Sequence, residues 1–181
     1  MLEFNQETHT YIYDGLEVPS VSRILVSEGF VDIGWFTDEG RQRGSAVHLH
    51  IKNHCQKAHC MAINQSLLGY MDAWKNFESQ YYWEAEIIEQ PFGCSQFAGT
   101  PDQIGKMNGI PAVLDIKTGK LNRAVGLQLA AYEILYDKPL KRFALQLNSG
   151  GAYRLKEFND RMDRYIFKSA VAIHHWKRNN L

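Results

Sequence analysis

The chain has 181 residues, 45% apolar and 22% charged, with 5 Pro and 14 Gly, a composition that excludes disorder and collagen-like structure. A chain of this size buries roughly 70% of the surface its unfolded form exposes, so it needs neither disulfides nor a structural metal and has little room for two full-size domains. The zero net charge hides an asymmetry: residues 1 to 90 hold 6 Lys and Arg against 13 Asp and Glu, and residues 91 to 181 hold 14 against 7. A basic half can track a polyanion, and two halves of opposite charge can equally attract each other.

In chain order, Tyr11-Ile12-Tyr13 and Leu16-Glu17-Val18 flank Asp14-Gly15, a dipeptide suited to a tight hairpin turn. Ser20 is placed to cap a short helix through Leu25, and Thr37 a longer one to about Ala58, with Asp38 and Glu39 at its positive end. Leu67, Tyr70, Met71, Trp74 and Phe77 recur at helical spacing and predict a buried face on a helix from about Gln65 to Gln80. Three extended segments follow, Trp83 to Gln90, Phe97 to Lys106 and Ala112 to Lys117, the last two joined by Met107-Asn108-Gly109. Asn122 is the expected cap of a helix carrying Val125, Leu127, Ala131, Ile134 and Leu135, which ends before Lys138-Pro139. A fourth strand, Phe143 to Leu147, turns at Ser149-Gly150-Gly151 into a fifth, Tyr153 to Phe158. Asn159 is the expected cap of a last helix, with Met162, Tyr165, Ile166, Ala170, Ile173 and Trp176 as its inner side. The order predicts a mixed α/β fold with helices on both sides of a mixed sheet.

No apolar run approaches the ~18 to 20 residues that cross a bilayer. The opening, Met1 to Glu7, lacks the pattern of a signal peptide, so a cytoplasmic setting is expected. Three cysteines, Cys55, Cys60 and Cys94, form no disulfide framework. His54-Cys55 and His59-Cys60 offer two His-Cys pairs, but their spacing fits no common zinc pattern and ordinary structural roles are expected.

Chemistry concentrates around Gly99-Thr100-Pro101-Asp102 and, after twelve intervening residues, Asp115-Ile116-Lys117. Two strands joined by a hairpin bring the two aspartates side by side, and a divalent cation with oxygen ligands is the common remedy for their repulsion. Alternation along a strand sets Asp115 and Lys117 on one face and the Ile116 side chain on the other. The Ile116 carbonyl is then a further candidate ligand, and Lys117 is placed to orient a water beside the cation, a hydrolytic phosphoryl-transfer site in outline. A solvated strand end is the alternative for any lone Asp-x-Lys.

Pro101-Asp102 with Asp115-x-Lys117 resembles the PD-(D/E)XK nuclease superfamily, and the predicted helix, three-strand, helix, strand order matches its restriction-endonuclease-like core. The RecB-type exonuclease branch is nearer. Arg43-Gly44-Ser45-Ala46-Val47-His48 resembles its Gly-x-x-x-His helix motif, Glu89-Gln90-Pro91-Phe92 its acidic strand, and Gln128-Leu129-Ala130-Ala131-Tyr132 its Gln-x-x-x-Tyr motif. The opening, Tyr11 to Gly15 through Val18 to Ser22, resembles the leader of phage members. The resemblance covers most of residues 8 to 148; with no linker or repeat in the chain, one nuclease domain is expected over 1–181: an N-terminal hairpin and short helix (1–30), a catalytic core (about 37–148), and a C-terminal strand and helix (152–178).

It further implies Mg²⁺ or Mn²⁺ held by His48, Asp102, Asp115 and the Ile116 carbonyl, with Lys117, Glu89, Gln128 and Tyr132 completing the site. Glu86 competes with Glu89 for the acidic position, while His50 and His54 are expected to be structural. The implied substrate is DNA, cut exonucleolytically in phage or bacterial recombination, repair or processing. A structure-selective or site-specific endonuclease and a catalytically silent DNA-binding module are the alternatives. Lys120, Arg123, Lys141, Arg142 and Lys156 are candidates for gripping the phosphate backbone. Neither a four-cysteine cluster nor a phosphate-binding loop for ATP is present, so a helicase, recombinase or single-strand-binding partner would supply unwinding.

Overall fold

Strands β1 (Leu2–Asn5), β2 (Thr10–Tyr13) and β3 (Leu16–Val18) form an antiparallel meander in the computed structural model, which describes residues 1–32, 34, 37–58 and 63–181. Asp14 and Gly15 both take positive φ, +49° and +80°, as the expected hairpin turn requires. The pairing of β1 with β2 is an addition to the prediction; four residues carry too little pattern to announce a strand. Helix α1 (Val21–Ser27) is capped by Ser20, which accepts from the Arg23 amide, and α2 (Asp38–Cys55) by Thr37, which accepts from Gly40. A 3₁₀ turn at Gln65–Leu67 leads into α3 (Leu68–Gln80), whose buried face includes Tyr70, Met71, Trp74 and Phe77 as expected.

The main sheet has the order β10-β9-β8-β7-β4, built from β4 (Trp83–Ile88), β7 (Gln103–Met107), β8 (Ile110–Lys117), β9 (Lys141–Leu147) and β10 (Tyr153–Glu157). Only β8 and β9 run parallel, and α4 (Ala124–Tyr136) makes that crossover. The architecture is the predicted mixed α/β class: a mixed five-stranded sheet with a β-meander (β4, β7, β8) between helices and helices on both faces. One predicted strand is corrected: the 97–106 segment breaks at Thr100-Pro101-Asp102. Its first part, β6 (Ala98–Gly99), pairs with β5 (Phe92–Gly93), and its second is β7 in the main sheet. Pro101 has no N–H for a ladder, which suits the crossing point.

Alternation along β8 divides the core. Ala112, Leu114 and Ile116 pack with Val47 and Ile51 of α2 and Trp74 and Phe77 of α3. Val113 packs on the opposite side with α4, α1 and the last helix, α5 (Met162–Asn180). Three helix details differ from the sequence reading. Neither Asn122 nor Asn159 makes a capping bond; α4 begins without a side-chain cap, and the Asp160 carboxylate receives the Met162 amide. Helix α2 stops at Cys55, short of Ala58. On α5 the buried residues are Phe167, Ala170 and Val171, whereas Met162, Tyr165, Ile166, Ile173 and Trp176 are exposed. Phe167 wins the inner position by packing edge-on against Phe97, with ring centroids 5.0 Å apart.

Candidate active site

The hairpin between β7 and β8, with Asn108 and Gly109 both at positive φ, sets Gln103 opposite Leu114, and so places Asp102 beside the exit of β8. Its Oδ2 accepts from the Ile116 amide at 2.7 Å. This bond fixes the carboxylate against the backbone of the strand that carries Asp115 and Lys117. A small residue at 99 lets the turn seat there: a Cβ on Gly99 would lie 2.9 Å from both Tyr132 Cε1 and Val21 Cγ2. Thr100 is anchored from the N-terminal sheet, its hydroxyl 2.8 Å from that of buried Tyr11. No sequence signal singled out Tyr11 beyond its place in the leader.

His48, on α2, reaches across to the same point. Its Nε2 is 2.9 Å from the Ile116 carbonyl oxygen and its Nδ1 is 3.4 Å from Asp102 Oδ1. Burial works against a charge on the ring, but the Asp102 carboxylate outweighs it and raises the His48 pKa to about 9. The imidazolium therefore donates to the Ile116 carbonyl and pairs with Asp102, two of the groups expected to hold a cation. Burial also opposes the Asp102 charge, and His48 reverses this and lowers its pKa.

Asp115 is 1% exposed. Burial raises its pKa to about 6, against the pull of Lys117. Lys117 Nζ donates to Asp115 Oδ1 at 3.0 Å and stands 2.9 Å from Oδ2, yet Oδ2 receives no well-directed hydrogen bond. A buried carboxylate oxygen without a donor is costly, and it suits an added cation. Burial works against the Lys117 charge as well, but Asp115 and then Asp102 raise its pKa, so the side chain is an ammonium. Lys117 also donates to Gln128 Oε1 at 3.3 Å, and Gln128 Nε2 donates to the Tyr132 hydroxyl at 2.9 Å. Gln128 and Tyr132 stand four residues apart on α4, one above the other. Burial, with the two aspartates, pushes the Tyr132 phenol well above its ordinary range.

Glu89 and Glu86 part company. The Glu89 amide donates to the Asp102 carbonyl at 3.0 Å, and its carboxylate accepts from Lys52, one turn beyond His48, at 2.7 Å. Glu89 takes φ +47° to do so. Glu86 instead pairs with Lys106 at 2.6 Å, away from this cluster. Lys52 is an addition that the sequence pattern did not mark.

His48, Asp102, Asp115, the Ile116 carbonyl, Lys117, Gln128 and Tyr132 are thus linked in one chain of contacts. Among the described residues no three His, Cys, Asp or Glu side chains converge as a preformed metal cage. The donor types nonetheless suit a hard divalent cation. His54 and Cys55 make other contacts: His54 Nε2 meets Glu78 at 2.9 Å, and the Cys55 thiol, pushed by burial up to about 11, receives Gln103 Nε2 at 3.5 Å. The second pair, His59-Cys60, lies outside the described residues.

The expected backbone-gripping cations are scattered. Lys141 and Arg142 open β9, opposite Ala112 and Val113, whereas Lys117 lies opposite Gln146 at the far end. Arg142 is 6% exposed and donates to the Asp160 carbonyl at 2.7 Å, the Asp163 carboxylate at 3.0 Å and the Gly126 carbonyl at 3.3 Å. It is a buried structural residue, so its expected role is corrected. Lys141 pairs with Glu157 at 3.2 Å and Lys156 covers the Phe158 ring at 4.4 Å. Lys120 and Arg123 are exposed on the loop after Lys117.

No family model and no curated protein matches the chain. Among solved structures it is similar to an alkaline exonuclease, LHK-Exo, from Laribacter hongkongensis, with a TM-score of 0.46 and 13% identity over 90% of this chain and 92% of that one. No helix among the described residues is long and apolar enough to cross a membrane.

Proposed function

We propose that the protein is a metal-dependent nuclease acting on DNA, with exonucleolytic cutting as the favoured mode. One observation carries the reading: a buried Asp115 with an unsatisfied oxygen shares its ammonium partner Lys117 with Gln128, one strand from Asp102. A surface ion pair needs none of this arrangement.

Asp102, Asp115, the Ile116 carbonyl and His48 would hold Mg²⁺ or Mn²⁺. When bound, the cation supplies charge stabilisation to the phosphoryl oxygens and acidifies water. His48, protonated and on the Ile116 carbonyl in the metal-free chain, would have to give up its proton to serve as a ligand, so its affinity for a cation would be pH-dependent. Lys117 is cationic and therefore serves as a fixed charge that orients water and offsets the developing negative charge on phosphorus. Gln128 and Tyr132 steer that ammonium, and Lys52 holds Glu89 against the Asp102 turn.

A time course with Mg²⁺ and with Mn²⁺ on circular and end-labelled linear DNA, single- and double-stranded, tests the reading. Metal-dependent release of nucleotides from linear ends is expected. Cutting of circles would select the endonuclease alternative, and no cutting of any substrate would overturn the proposal.

A further inference from the structure

The end of the sheet away from Lys117 carries an open groove of about 520 Å³ between the start of β9, the end of β10 and the first turns of α5. Lys141, Arg161, Arg164 and Lys168 line it together with Tyr165. Its acids are already engaged: Glu157 pairs with Lys141, and Glu133 with Arg142 and Arg164. Among the described residues Arg161 and Lys168 make no ion pair.

Helix α5 prolongs this surface. From Arg164 to Leu181 the chain has Arg164, Lys168, Lys177 and Arg178 and no Asp or Glu. Tyr165 is 66% exposed and Trp176 61%. Eleven residues make close to three helical turns, so the two rings share a face about 16 Å long. Arg161 and Lys168 are the i−4 and i+3 neighbours of Tyr165 along that line.

We propose that the groove and the α5 face form a track for a single-stranded polynucleotide, distinct from the cluster at Asp102 and Asp115. Arg161 and Lys168 take phosphates, and Tyr165 and Trp176 take unpaired bases. Cations alternating with exposed rings provide both kinds of contact that a flexible strand offers. A duplex keeps its bases stacked inside and leaves the rings unused. A second copy of this chain fits poorly, because a two-fold contact would set Arg161 and Lys168 near their own counterparts. The track requires neither metal nor cleavage and so goes beyond the nuclease reading.

Fluorescence anisotropy of the full chain with a labelled twenty-nucleotide oligothymidylate in EDTA tests it. Tyr165→Ala with Trp176→Ala should weaken binding at least about fivefold per ring without changing its salt dependence. Arg161→Gln with Lys168→Gln should reduce the slope of log affinity against log salt by about 1.4. All four positions are substituted at the surface, and thermal unfolding verifies that each variant folds. Unchanged affinity in both double variants overturns the track. So does binding of an equal-length duplex that is as tight as the strand and unaffected by loss of the rings. Adsorption to phosphatidylserine–phosphatidylcholine vesicles without oligonucleotide binding also overturns it, by making the face a membrane surface. If binding responds as expected while the wild type cuts nothing in Mg²⁺, the track stands and the nuclease reading falls; the reverse result separates them the other way.

Discussion

The two ends of the main sheet both bury charge, and they do it differently. At the entry to β9, Arg142 is surrounded by acceptors: two backbone carbonyls, the Asp163 carboxylate at 3.0 Å and, more distantly, Glu133 at 3.8 Å. At the exit of β8, Asp115 is equally buried but keeps an oxygen without a hydrogen bond, and burial raises its pKa to about 6. A fold that can satisfy a buried arginine so fully has no packing reason to leave an aspartate wanting. Arg142 is thus completed by groups of the chain itself, whereas Asp115 Oδ2 faces the Lys117 ammonium without a directed hydrogen bond, the difference on which the proposed metal site rests.

The contrast is broken most directly by mutation at its two poles. Asp115→Asn and Lys117→Ala should each lower DNA cleavage by ~10² to 10⁴-fold, measured by turnover on end-labelled DNA. They should differ in calorimetry: Asp115→Asn loses Mn²⁺ binding, and Lys117→Ala, which removes a positive charge beside the cation, binds it at least as well. Near-normal turnover by Lys117→Ala would remove the mechanism.

Arg142→Ala should cost about 3 to 5 kcal/mol of stability, because it leaves Asp163 and two carbonyls buried without their donor. Urea unfolding reads this loss. Turnover per folded molecule should hold, since the arginine stands at the other end of the sheet. A cost under 1 kcal/mol would make the two ends alike.

The pH dependence of stability in EDTA sharpens the comparison further. His48 binds its proton more tightly when folded, so its stabilisation is complete below about 6.5 and is lost as pH rises through about 9. Asp115, also raised, contributes stability below about 4 that is lost as pH passes about 6. Metal-free protein should therefore weaken across both windows. Asp115→Asn should flatten the lower window, and His48→Gln the upper. Saturating Mn²⁺ should restore stability on the alkaline side, and a metal-free profile rising from pH 7 to 9 would contradict the assignment.

The smallest expected effect is at Gly44. A Cβ there would meet only Thr118 Oγ1, at 3.6 Å, an ordinary contact. Gly44→Ala should shift the melting temperature by no more than a degree or two in either direction, on the scale of ~0.5 kcal/mol.

Much of this arrangement is legible in the sequence, for identifiable reasons. Asp14-Gly15 and Asn108-Gly109 announce their hairpins because few dipeptides accept two positive φ angles. The α3 stripe is legible because its opposite face is polar. Helix α5 misleads because apolar residues occupy both of its faces, and only the partner ring Phe97 decides between Phe167 and Tyr165. The break at Pro101 is hidden inside an extended run whose pattern does not change. At the site, the order of short motifs points to His48, Asp102, Asp115, Lys117, Gln128 and Tyr132, and the structure links them. Lys52 and Tyr11 lack such a signal, since their partners Glu89 and Thr100 are 37 and 89 residues away. Arg142 is misread for a related reason: a lone arginine at a strand start has the same spelling whether it faces water or four acceptors.

The Tyr11–Thr100 contact carries a consequence for how the molecule is made. Residues 1–20 leave the ribosome well before their partners: the hydroxyl that anchors Tyr11 and the Ala98 backbone that bridges Ser20 follow some eighty to ninety residues later. During synthesis at about 5 to 20 residues per second, the N-terminal meander spends several seconds as three short strands with no partner to bury Tyr11. A meander so small is marginal alone. Its docking therefore waits on the same 98–102 segment that carries Asp102, so the meander cannot complete its burial before that part of the site has been made.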